Sequence, residues 1–275
     1  MAKPPIGPQT RLCMSLAARP GTFGSRFHNA LYAALGLDYV YKAFTTTDLA
    51  GAITGIRALG IRGCAVSMPF KEDVIPLLDG LRDSAAAIDS VNTIVNDDGV
   101  LTGYNTDYSA VRSLVEALPV DRASPFLLRG SGGMAKAVGA ALVDSGFTNG
   151  TIVARNAEKG QALARTLHCA WAPGIDGLDA PVLINVTPIG MEGPDADALP
   201  FTQAQIAACA VAFDVVAKPA ETPFLIAARA MGKQLLTGDA VAVLQALEQF
   251  VLYTGVRPDD ALIARAAAQA RGPVA

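Results

Sequence analysis

The sequence predicts an α/β fold in two lobes, a mixed sheet followed by a doubly wound one. Three observations carry that reading. β-like runs alternate with helical patterns along the 275 residues, as a sheet flanked by helices requires. Residues 126–135 read Phe-Leu-Leu-Arg-Gly-Ser-Gly-Gly-Met-Ala, an apolar run that breaks into glycine and passes straight into helix-forming sequence. Residues 241–253 and 261–270 are helical by periodicity and composition, with no strand pattern after them.

In the first hundred residues, β-like runs at 11–15, 39–44, 63–67 and 91–95 alternate with helical patterns at 23–35, 49–59 and 71–78. Asp97-Asp98-Gly99 reads as a hairpin turn, so 91–95 pairs antiparallel with 100–103 and the sheet is mixed. Asn105-Thr106-Asp107 opens a helix over 108–118, with Thr106 or Asp107 able to cap its free N–H groups. A second domain starts at the Pro125 strand, continues through helix 134–143 and strand 151–154, and adds strands at 182–186 and 211–216. The expected division is residues 1–108, 109–238, and 239–275 folding back on the first lobe, which leaves a cleft, the preferred place for a ligand.

A strand, a glycine turn and a helix N-terminus make a pyrophosphate site, because backbone N–H groups and the positive end of the helix dipole converge on the anion. Gly130, Ser131, Gly132, Gly133, Met134 and Ala135 supply that turn, which makes the second domain a Rossmann-type nucleotide-binding domain. The bland alternative is a glycine turn that only lets a helix pack closely on a sheet. The next strand ends in Arg155, not in the acid that would hold a ribose diol. An arginine suits a 2′-phosphate, so the expected cofactor is NADP. Asn156 and Lys159 lie near enough in sequence to join Arg155 around that phosphate, although an exposed strand-end arginine is common on any surface.

Composition narrows the class. About half of the residues are apolar, yet no apolar run is long enough to cross a bilayer. The first ten residues lack the apolar core of a secretory signal, which predicts a cytoplasmic chain. Cys13, Cys64, Cys169 and Cys209 are scattered, with His28 and His168 the only imidazoles, so neither a metal site nor a disulfide framework is expected. A net charge of −3 without basic blocks argues against nucleic acid as a partner. A small-molecule substrate, no membrane, and a monomer or homodimer complete the expectation.

Six segments, taken in order, resemble the shikimate dehydrogenase family over nearly the whole chain. They are Met68-Pro69-Phe70-Lys71-Glu72, Val91-Asn92-Thr93, Asn105-Thr106-Asp107, the loop Gly130 to Gly133, Asn185-Val186-Thr187, and Gln245 with Phe250. The likeness is greatest to the divergent branch called shikimate dehydrogenase-like, whose members are poor at the standard reaction. The resemblance implies an NADP-dependent oxidoreductase moving a hydride between NADP(H) and a cyclic polyol carboxylate such as 3-dehydroshikimate/shikimate, in aromatic amino acid biosynthesis. It makes Lys71 and Asp107 the catalytic pair, with Asn92 orienting substrate hydroxyls, Gln245 reaching the substrate and Thr22 holding its carboxylate. Thr187 and Met191 are expected either to line the nicotinamide side or to serve as strand-end packing. Interconverting carbonyl and alcohol requires a group that gives and takes a proton; a desolvated lysine serves, either alone or sharing the proton with Asp107, which mainly positions it and balances its charge. Without the resemblance, Lys71 reads as a solvated residue in a first helical turn, Asp107 as a cap, Asn92 as a partner for a backbone group and Gln245 as a helix residue facing water.

Three positions depart from the family pattern. Where the family has Ser-x-Ser-Pro, this chain has Thr22-Phe23-Gly24-Ser25, so one carboxylate-binding hydroxyl has become Gly24; Ser25, Arg19 or Arg26 could compensate. Ala217 replaces a substrate-touching tyrosine and Tyr108 a glycine. Hydride chemistry is therefore expected on a substrate that differs from shikimate. Two rivals are an NADPH- or metabolite-binding regulator with little catalysis and a one-carbon folate dehydrogenase of similar build. Retention of Lys71, Asp107 and Asn92 together speaks against the first, and the order of the segments against the second.

Overall fold

The computed structural model describes residues 3–272. The chain forms two compact units, Met1–Thr106 with Val243–Ala275, and Asp107–Ala242.

The first unit holds strands β1 (Arg11–Leu16), β2 (Tyr39–Phe44), β3 (Gly63–Val66), β4 (Gly80–Leu81), β5 (Thr93–Asp97) and β6 (Val100–Tyr104), in sheet order β2-β1-β3-β5-β6-β4. The first three run parallel, and β5 pairs antiparallel with both β3 and β6, so the sheet is mixed. Helices α1 (Phe23–Leu35), α2 (Leu49–Ala58) and the short α3 (Asp83–Ala86) accompany them. Gly36 ends α1 in the left-handed conformation, as a glycine after a helix does. The pattern at 71–78 does not become a helix. It folds as turns around a three-residue 3-10 segment, Ile75–Leu77, in which Pro76 withholds the N–H a longer helix would need.

In the second unit, β7 (Phe126–Arg129), β8 (Gly150–Val153), β9 (Ala170–Ala172), β10 (Val182–Asn185), β11 (Val211–Asp214) and β12 (Gln234–Thr237) form a six-stranded sheet in which every pairing is parallel. The spatial order β12-β11-β10-β7-β8-β9 is that of a Rossmann sheet, with the switch point between β7 and β10. Helices α4 (Thr106–Glu116), α5 (Gly133–Asp144), α6 (Ala157–Thr166), α7 (Gln203–Ala208) and α8 (Pro223–Ala230) connect and flank the strands. Strands β9 and β12 and helices α7 and α8 are short elements that the hydrophobic periodicity did not reveal.

The last helices, α9 (Gly238–Thr254) and α10 (Asp260–Arg271), supply Leu247, Phe250, Tyr253, Leu262 and Ile263 to the core that α1 builds with Phe27, Leu31 and Tyr32. Phe250 and Phe27 are fully buried, each worth about 2 kcal/mol by transfer from water. Arg62 closes the end of α9, donating to the carbonyls of Tyr253 (2.9 Å) and Leu252 (3.2 Å). Among the described residues no helix is long and apolar enough to cross a membrane, and no cluster of His, Cys, Asp or Glu is placed to hold a metal.

Candidate active site

In the first unit, the polar groups gather at the edge where β1 and β3 end and β5 begins. Asn92 precedes β5 and is 2 % exposed. Its Oδ1 accepts from the Thr106 backbone N–H (2.8 Å) and the Thr93 hydroxyl (2.8 Å), while its Nδ2 donates to Thr106 Oγ1 (3.1 Å) and Gln245 Oε1 (3.3 Å). Gln249, one turn along α9, donates to Thr93 Oγ1 at 3.0 Å. Residues 153 and 156 positions apart are thereby joined in one amide–hydroxyl network. Asn92 and Gln245 come together; Thr93 and Thr106, from the matched segments, complete the set with Gln249, which sequence reasoning misses because it reads alone as an ordinary helix residue.

Lys71 sits in the turns after β3 and is half-buried. Its backbone carbonyl accepts from Val91 N–H at 2.8 Å, which places it beside the Asn92 segment. Ala18 N–H donates to the Met68 carbonyl (3.1 Å), so the Lys71 loop is also tied to the end of β1. Thr106 and Asp107 are buried and lie within the first turn of α4, not ahead of it as caps; Thr106 spends its backbone N–H and hydroxyl on Asn92.

Thr22 is exposed at the start of α1, its hydroxyl making no cap bond to the helix. A Cβ on Gly24 would meet Tyr41 Oη at 3.6 Å, ordinary contact, so packing does not demand glycine there. His28, fully buried on α1, lies flat on Tyr41 with ring centroids 4.4 Å apart. Neither ring nitrogen has a partner of normal hydrogen-bond geometry, and burial lowers its pKa to about 3, offset only in part by the nearby Gln249 amide. It is a neutral core residue, not a proton relay.

The glycine loop lies in the second unit. Gly130 has φ of +131°, and a Cβ there would come within 2.8 Å of the Val186 carbonyl. Only glycine fits at that turn. Gly132 and Gly133 differ: a Cβ on either meets nothing within 4 Å. Among the described residues their lack of side chains serves no packing, and it leaves the backbone at the start of α5 open to approach. Ser131 and Met134 are half-buried beside them and Ala135 is buried. Arg155, beyond β8, is exposed and forms no ion pair among the described residues. Asn156 accepts from Lys159 N–H (3.0 Å) and caps α6; Lys159 is exposed.

A second asparagine organises the strand end of β10. Asn185 donates to Asp214 Oδ1 (3.0 Å) and the Ile189 carbonyl (3.1 Å), and its Oδ1 accepts from the Thr187 hydroxyl (2.6 Å). Asp214, fully buried, also accepts from Thr222 (2.7 Å) and Val216 N–H (3.0 Å); burial raises its pKa, and these bonds oppose the shift. Thr187 thus holds the loop that carries the exposed Met191. Ala217 is exposed just beyond β11. Tyr108 is occupied elsewhere: its hydroxyl binds Asp144 at the end of α5, which accounts for a bulky residue at that position.

Two units, one with a mixed sheet and one with a Rossmann-type sheet opening on a glycine loop, define a two-part α/β protein with a Rossmann-type nucleotide-binding domain. The profile of the shikimate dehydrogenase substrate binding domain matches residues 22–94. A shikimate dehydrogenase-like protein of Haemophilus influenzae is 55 % identical over 267 residues, 97 % of this chain and 98 % of the relative. Shikimate dehydrogenase (NADP(+)) of Moorella thermoacetica is 36 % identical over 260 residues, 89 % and 88 % of the two chains. The crystal structure of shikimate 5-dehydrogenase from Thermus thermophilus in complex with NADP(H) and shikimate is 29 % identical and superposes with a TM-score of 0.84 over 95 % of this chain and all of that one. The chain belongs to the shikimate dehydrogenase family.

Proposed function

We propose that this protein is an NADP-dependent oxidoreductase acting on a cyclic polyol carboxylate close to shikimate or quinate. The observation that carries the cofactor half is the open backbone at Gly132 and Gly133, where a side chain would meet nothing of the protein itself. An anion fits such a cradle, since free N–H groups at the start of α5 face it. Arg155 takes a 2′-phosphate at the end of β8, with Lys159 and the N-terminus of α6 adding positive potential. When bound, the nicotinamide ring supplies or accepts the hydride.

The substrate half rests on the first unit's polar edge. Asn92, held on both sides of its amide, orients hydroxyl groups with Gln245, and Thr22 supplies one hydroxyl to the carboxylate. Lys71 gives and takes the hydroxyl proton, and Asp107 fixes its charge. With Gly24 in place of a second hydroxyl, and Ala217 in place of a bulkier contact, the carboxylate grip is weaker and the preferred ring differs from shikimate.

Nicotinamide absorbance followed with shikimate, quinate and their amino- or hydroxy-substituted relatives tests this reading. Turnover with one of them is expected, and Lys71→Ala should lose about 100-fold or more in kcat while still binding NADPH. Normal turnover in that variant removes Lys71 from the chemistry. Failure of every substrate together with tight NADPH binding favours a regulatory role.

A further inference from the structure

Arg129 is the last residue of β7 and pairs in register with Val153, the last of β8; Arg155 follows two positions later. Two arginines therefore stand at neighbouring strand ends on the carboxyl edge of the second sheet. β7 is also the strand at which the order reverses, so Arg129 occupies the switch point where open α/β sheets receive ligands. Its side chain leaves on the same face as Leu127, which packs with Phe201 and Ile206, and its Nη1 donates to the Pro200 carbonyl.

That carbonyl does not account for the residue. Holding one neutral acceptor needs one neutral donor, whereas a guanidinium brings a full charge and five N–H groups. Arg129 is half-buried, and among the described residues no carboxylate pairs with it or with Arg155. Burial, and after it the charge of Arg155, loosens the Arg129 guanidinium's hold on its proton. Like charges gathered without a counter-charge, one of them partly out of water, are the electrostatics of an anion-binding site.

We propose that Arg129 is a second selectivity residue for the phosphorylated dinucleotide, sharing with Arg155 the phosphate monoester on the adenosine ribose. This rests on the NADP reading above and extends it to a residue ahead of the glycine loop. Calorimetric titration of the whole protein with 2′,5′-ADP and with 5′-ADP separates the two claims. Wild type should bind 2′,5′-ADP the more tightly. Arg129→Gln should lose about 10-fold or more for 2′,5′-ADP with little change for 5′-ADP, and Arg129→Lys should recover most of the loss.

Equal binding of the two probes by wild type overturns the NADP reading and this inference with it. A wild-type preference that survives unaltered in Arg129→Gln overturns this inference alone, as does an equal loss for both probes, which would mean that Arg129 only pins the Pro200 loop. Should the Gln variant not fold, Arg129→Met, which keeps the aliphatic stem and drops the charge, takes its place under the same outcomes.

Discussion

Each unit buries an asparagine at the edge of its sheet, and the two are used differently. Asn92 joins neutral partners only: two threonine hydroxyls, a backbone N–H and the Gln245 amide. Asn185 joins a carboxylate, Asp214, whose other oxygen takes Thr222. A neutral network can release a donor to a substrate hydroxyl without exposing a buried charge. A network built on a carboxylate is stiffer, because each donor removed leaves part of an ion uncompensated. The first arrangement suits a binding surface; the second suits a fixed support for the Thr187 loop.

The difference is broken most sharply at Asn185. Asn185→Ala should cost about 3 kcal/mol, since it strips a donor from buried Asp214 and frees the Ile189 carbonyl and Thr187. Urea unfolding followed by tryptophan fluorescence measures it in the second unit, because the single tryptophan, Trp171, lies on β9. Asn92→Ala should cost less, about 2 kcal/mol, and should raise KM for the substrate more than it lowers kcat. A stability loss as large as that at Asn185 would show the neutral network to be equally a structural support.

The units should also differ in their response to pH. His28 has a folded pKa of about 3 against an ordinary 6.5, so its contribution to stability is whole above about pH 6.5 and is lost as pH falls toward 3. At full slope this is about 1.4 kcal/mol per pH unit. Asp214, raised by burial, acts with the opposite sign: its contribution is present below the usual carboxylate value and is lost as pH rises through the folded one. Acid should therefore weaken the first unit before the second, with far-UV dichroism changing ahead of Trp171 emission. His28→Phe, which keeps a ring on Tyr41, should delay the first change; identical acid transitions in both proteins would dismiss the imidazole as its cause.

How much of this was legible in the sequence follows from how local each feature is. The glycine loop is contiguous, so Gly130 to Gly133 and the strand before them could be read directly, as could β2 and α1. The segment at 71–78 shows helical spacing, but Pro76 and the ties from Val91 and Ala18 to the flanking carbonyls hold it in turns. Asn92 and Gln245 were named through the resemblance, and nothing local says that they touch; only α9, packed on α1's core, brings Gln245 and Gln249 to the start of β5. Arg129 stands just ahead of the loop and carries no signal of its own, since a strand-end arginine has no pattern. Its meaning comes from the strand order and from Arg155 on the next strand.

The smallest stability effect expected is at Gly132, and it sharpens the contrast between what holds the fold and what binds. Gly132 has φ −85° and ψ −173°, extended backbone that alanine adopts freely, and its added Cβ would meet nothing within 4 Å. Alanine is a poorer N-cap than glycine, at a cost of up to about 1 kcal/mol, but it also lowers the entropy of the unfolded chain, worth about 0.4–1 kcal/mol, so Gly132→Ala should change the unfolding free energy by only a few tenths of a kcal/mol. The same methyl group would stand where the cofactor's pyrophosphate approaches the backbone, so NADPH affinity, read by calorimetry, should fall at least about 10-fold. A variant that keeps its affinity would return Gly132 to the bland reading of a helix start that happens to be glycine. One that instead unfolds easily would show a packing role at odds with the open space around that position.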